Sequence, residues 1–124
     1  IKENVKFVGF LNKKNKIRFL KGANLSICIS KTENFANVVL EACACGTPSI
    51  VSKEVPWKVL EKYNCGKQIT ATESNLLITL KEFLFYEKGK EPKRDFKNLT
   101  KIFSEKNLRC LTNLNYRKLL NERS

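Results

Sequence analysis

Short apolar runs, separated by helix-spaced segments and stopped by Gly or Pro, constrain this chain more than any other feature. Val5 to Phe10 (Val-Lys-Phe-Val-Gly-Phe) predicts a strand, and Asn15 to Gly22 a helix with Ile17, Phe19 and Leu20 apolar and Gly22 as its stop. Leu25 to Ile29 predicts a second strand, apolar enough to be buried on both faces as parallel strands are. Asn37 to Cys45 follows as a helix closed by Gly46 and Pro48, then Ser49 to Ser52 as the third strand. Pro56 to Tyr63 reads as a helix with Pro in its first turn and Val59 and Leu60 toward the core; Lys67 to Thr70 reads as a short fourth strand. Such alternation means βαβ units, a parallel sheet and right-handed crossovers. The fold class is therefore α/β, a Rossmann-like parallel sheet with flanking helices.

Further along, Glu73 to Tyr86 is amphipathic, with Leu76, Leu77, Leu80, Phe83 and Leu84 on one side. A charged loop, Lys88 to Arg94, leads to a polar helical stretch from Phe96 to Glu122 with a break near Asn107. Residues 1–95 are expected to form one partial Rossmann-like domain, and residues 96–124 a helical segment packing on it. A chain of 124 residues holds one core or a large part of one. Opening at Ile1, just before a strand, it reads as a piece of something longer.

Charge and cysteine usage narrow the classes. A net charge of +12 suits anionic partners, but the cations are mostly Lys dispersed among Asn and Ile. No Arg cluster or aromatic-plus-basic repeat stands out, so no specific nucleic acid is expected. The cysteines Cys28, Cys43, Cys45, Cys65 and Cys110 are odd in number and form no Cys-x-x-Cys pair. Without any His, their spacing is unsuited to zinc, and no metal is expected. Cys43 and Cys45 read as small buried hydrophobes, and a reducing cytoplasm fits such usage. The absence of His also removes the usual general base of a hydrolytic triad.

The segment from Ser30 to Glu41 carries the candidate chemistry. Glu33 and Glu41 are separated by seven residues, the first at the mouth of the Asn37 helix and the second within it. Strand, polar loop, helix and strand in that order place the loop at the carboxyl end of a sheet, where open α/β folds bind ligands. The first helical turn, around Ala36, Asn37 and Val38, offers unpaired amides and a positive dipole end to phosphate. Carboxylates would repel a diphosphate on contact, so Glu33 and Glu41 suit hydroxyl groups instead. Taken alone, Glu33 is also an ordinary helix-start acid, favoured by about 0.3–1 kcal/mol. Glu41, among Val38, Val39, Leu40 and Ala42, reads as largely buried and needs a partner, yet its own helix contains no Lys or Arg. Trp57 reads first as a core anchor.

These residues resemble the donor-binding signature of retaining family 4 glycosyltransferases: a Glu, seven residues, a Glu, then Ala-x-Ala-x-Gly-x-Pro, here Ala42-Cys43-Ala44-Cys45-Gly46-Thr47-Pro48. Val5 to Phe10, Pro56-Trp57 and Cys65-Gly66 look like the matching flanks, and the resemblance covers about residues 4 to 86. It implies the carboxyl-terminal domain of the GT-B fold, with a nucleotide-sugar donor and transfer of a hexosyl unit to a glycan or lipid-linked acceptor. Glu33 would be catalytic and read the hexose; Glu41 would read the ribose. Asn34, Phe35, Ala36, Asn37 and Val38 would line the donor, and Gly9 and Phe10 would contact the base. Family members often have Gly on both sides of the motif's Phe, where this chain has Asn34 and Ala36.

The family's diphosphate-neutralising Arg and Lys, and its acceptor-binding amino-terminal domain, have no counterpart in this sequence. Little activity is expected of the chain alone, since the largest electrostatic contribution would be missing. A cytoplasmic location, peripheral to the inner membrane face, goes with a lipid-linked acceptor. The alternative is a non-catalytic nucleotide- or partner-binding module, such as half of a split transferase.

Overall fold

A computed structural model of the chain describes residues 2–31 and 37–106. A 3-10 turn at Lys2–Asn4 precedes α1 (Lys13–Gly22), β1 (Ser26–Cys28), α2 (Asn37–Ala44), β2 (Ser49–Ser52), α3 (Val59–Lys62), β3 (Gly66–Ile69), α4 (Glu73–Leu84) and α5 (Phe96–Lys106). The three strands form one parallel sheet in the order β1-β2-β3.

Local chemistry sets the boundaries. Asn12 caps α1 by accepting the Asn15 amide at 2.9 Å, and Thr72 caps α4 by accepting the Asn75 amide at 3.1 Å. Asp95 does the same for α5 through the Asn98 amide at 3.2 Å. At the end of α2, Gly46 takes a left-handed φ of 77°, and the Thr47 amide reaches back to the Ala42 carbonyl at 2.9 Å. That is the Schellman stop that glycine makes accessible.

Register divides the sheet into two faces. Ile27 lies beside Ile50 and Cys28 beside Val51, so the two pairs point to opposite sides. Cys28 and Val51 join the main core with Val39, Leu40, Cys43 and Ala44 of α2, Leu60 of α3, and Leu99 of α5. Ile17 and Leu20 of α1 pack on the same cluster. α4 meets the other face, where its Glu82 pairs with Lys67 of β3 at 3.3 Å and Phe83 is buried. On that face Ile50 and Ile69 are covered, whereas Ile27 and Ile29 at the β1 edge remain about half exposed.

Three expectations need correction. Val5 to Phe10 forms no strand, and the described sheet has three strands, not four. Phe7 and Phe10 are 98% and 96% exposed. An apolar run supplies strand propensity, but a strand exists only where a neighbour completes its ladder. The helix expected from Pro56 is a single turn from Val59, because the backbone before it is spent on tight turns. The Val55 amide bonds the Ser52 carbonyl at 3.0 Å and the Trp57 amide bonds the Val55 carbonyl at 2.7 Å. Similarly, α4 ends at Leu84, two residues short of Tyr86, where Phe85 turns extended. The break expected near Asn107 lies outside the described residues.

Candidate functional site

The site is built where β1 hands over to α2. At the carboxyl end of β1, Ser30 is tied to β2 by Ser52, whose Oγ accepts the Ser30 amide at 2.9 Å and donates to the Ser30 carbonyl at 2.7 Å. The chain then enters α2 at Asn37. Glu33, Asn34, Phe35 and Ala36, four of the expected site residues, lie outside the described residues.

Asn37 and Val38 are exposed on the first turn of α2, while the six residues from Val39 to Ala44 are all buried. A helix packed on nearly every side forces Glu41 inward, and its side chain is only 10% exposed. Lys16 of α1 is among its partners, with Nζ 2.6 Å from Oε2. The buried carboxylate anticipated from the sequence is thus met by a cation from a different helix. No single residue of α1 stands out in the sequence as that cation. The sequence signal that points to it is α1's composition, with Lys13, Lys14, Lys16, Arg18 and Lys21 and no acid, next to a helix holding one acid and no cation of its own.

α1 is held in place beside α2 by a second contact. Thr47, fully buried after the α2 stop, donates from Oγ1 to the Leu20 carbonyl at 2.6 Å. Gly9 and Phe10 precede α1 in an irregular segment, Gly9 with a left-handed φ of 66° and open space around its α-carbon.

At the carboxyl ends of β1 and β3 a cleft of about 170 Å³ is lined by Ile29, Ile69, Ala71, Thr72, Glu73 and Leu76. It is smaller than the roughly 300–1,000 Å³ typical of small-molecule pockets. Wider grooves lie away from this edge, one of about 370 Å³ between Tyr63 and α5, and one of about 250 Å³ around Gly66 and Arg94.

The Cys43 and Cys65 thiols are not poised for chemistry. Burial pushes the Cys43 thiol well up, with Cys65 and Cys45 adding to the effect. Burial, followed by the Asp95 carboxylate, pushes Cys65 up to about 12. Nucleophilic cysteines need the opposite shift. Trp57 is fully buried in the core. Among the described residues no three His, Cys, Asp or Glu side chains gather as a metal site.

The family model described as glycosyl transferases group 1 matches residues 1–75, more than half of the chain. The chain belongs to this family. It is a glycosyltransferase domain, and a glycosyl-transfer role follows from membership. No curated protein and no solved structure matches the chain. Among the described residues no helix of this glycosyltransferase domain is long and apolar enough to cross a membrane.

Proposed function

We propose that this group 1 glycosyltransferase chain is the nucleotide-sugar-binding portion of a retaining enzyme that moves a hexosyl unit to a glycan or lipid-linked acceptor. The observation that carries the reading is Glu41, a carboxylate nearly dry on α2, the helix that follows β1 in the chain. A carboxylate accepts several hydrogen bonds, and a ribose diol supplies two hydroxyl donors suited to it. Glu33, eight positions before Glu41 in the sequence, reads the hexose and acts at the reacting sugar. The amides of the first α2 turn, at the exposed residues Asn37 and Val38, receive phosphate oxygen, assisted by the helix dipole. Asn34, Phe35 and Ala36 line the donor, and Gly9 and Phe10 contact the base.

In the transfer, the bond from the sugar's anomeric carbon to the diphosphate oxygen breaks as the acceptor oxygen bonds to the same face of that carbon and passes its hydroxyl proton to the departing diphosphate. The leaving diphosphate carries the charge away and needs cations from outside this sequence, so the chain alone is inactive and works with an amino-terminal acceptor domain. No metal takes part. The setting is the cytoplasm, peripheral to the membrane's inner face, with no specific nucleic acid as partner.

Calorimetric titration tests the reading. Glu41→Gln is expected to weaken nucleoside diphosphate and intact sugar nucleotide together, because both contain ribose. Glu33→Gln is expected to weaken only the sugar nucleotide. Each lost charged contact costs about 1.5–3 kcal/mol. Unchanged affinities in both variants would make the pair structural.

A further inference from the structure

The carboxylate assigned to the ribose is approached by Lys16 at 2.6 Å, across the contact between α1 and α2. That contact is fixed independently of the ion pair. Thr47 grips the Leu20 carbonyl at 2.6 Å, and Ile17 and Leu20 pack on the core. Lys16 is the residue just before Ile17, so its backbone is set by the packing of its neighbours. The Lys16 amide bonds the Asn12 carbonyl at 2.8 Å within the capped first turn of α1. The ammonium is therefore delivered to the carboxylate by a helix that is already anchored.

A glutamate side chain otherwise samples several rotamers, and holding it in one lowers the entropy lost when a ligand binds. A carboxylate accepts about four hydrogen bonds. Lys16 at Oε2 takes up one part of that capacity. We propose that Lys16 is a positioning residue for donor recognition, locking the Glu41 carboxylate in the orientation that meets the ribose hydroxyls. The inference rests on the ribose reading of Glu41. It assigns Lys16 no contact with the diphosphate.

The test uses the whole 124-residue chain and calorimetric titration with uridine and guanosine diphosphates, their 2′,3′-dideoxy counterparts, and inorganic diphosphate. Lys16→Ala is expected to raise Kd for whichever ribonucleotide binds by about five- to tenfold, less than the loss of a direct charge-assisted contact because Lys16 acts through Glu41. The dideoxy compound and inorganic diphosphate should be unaffected. Lys16→Arg should restore part of the loss, and Lys16→Ala should add little on top of Glu41→Gln. Should Lys16→Ala fail to fold by circular dichroism, Lys16→Gln and Lys16→Arg provide the same comparison.

If Glu41→Gln weakens ribonucleotides while Lys16→Ala does not, the positioning role is overturned and the ribose reading stands. Equal losses for inorganic diphosphate would overturn it too, since Lys16 would then act on phosphate. If Glu41→Gln changes nothing, or no ribonucleotide binds the unsubstituted chain, the ribose reading fails and the role falls with it.

Discussion

Ser52 closes both backbone groups of Ser30 with one hydroxyl, accepting the amide at 2.9 Å and donating to the carbonyl at 2.7 Å. β1 ends in the ladder at Cys28, so this side chain extends its tie to β2 by two residues. The extension reaches the point from which the chain departs for Glu33. It fixes where that segment begins without using a further ladder bond.

Ser52→Ala leaves the Ser30 amide and carbonyl without the hydroxyl that served both, and the site is part-buried. The expected loss is about 1–3 kcal/mol of stability. Urea unfolding measures that loss. Nucleotide affinity should fall as well, because the loop's origin loosens. A variant as stable as the parent would remove Ser52 from this role.

Gly66→Ala should be far more damaging. An added Cβ would stand 2.0 Å from the Ser49 carbonyl oxygen and 3.1 Å from Leu60 Cδ1. Neither the paired β2 backbone nor the packed α3 can withdraw cheaply, so a loss above about 3 kcal/mol is expected. Thermal unfolding of Gly66→Ala beside Gly22→Ala is the measurement. The second glycine has open space around it.

Alkaline pH should destabilise the fold through its buried thiols. Cys65 is raised from 9.0 to about 12, and Cys43 is raised in the same direction. Between those pH values the unfolded chain releases thiol protons that the folded chain retains, so stability falls as pH rises. The contribution is fully present below pH 9 and is lost progressively toward pH 12. Denaturant midpoints across this range should decline less steeply in a Cys65→Ala variant, compared with its own value at neutral pH.

Trp57 should report directly on the core. The ring is fully buried with Leu60, Val55 and Leu99 in the same cluster. Its fluorescence should be blue-shifted and protected from iodide, and Trp57→Ala should cost about 3–5 kcal/mol. Quenching as efficient as that of free tryptophan would contradict this packing.

Much of the fold is legible along the chain because its signals are local. Ser49 to Ser52 is a strand with the bounds expected, and Gly46 and Pro48 close α2 as their backbone limits require. Trp57 and the paired small cysteines Cys43 and Cys45 are buried as their side chains suggest. The need of Glu41 for a partner is likewise readable, since its neighbours leave it little solvent.

What tertiary structure decided is everything that depends on a second segment. Val5 to Phe10 has the composition of a strand but finds no ladder, because pairing belongs to two stretches of chain and composition to one. The sequence determined that Glu41 is a buried carboxylate in a glycosyltransferase-like motif. Only the packing of α1 on α2 decided that Lys16, twenty-five positions earlier, stands 2.6 Å from it. Burial follows from near neighbours, whereas the choice of ion partner follows from the angle and register at which two helices meet.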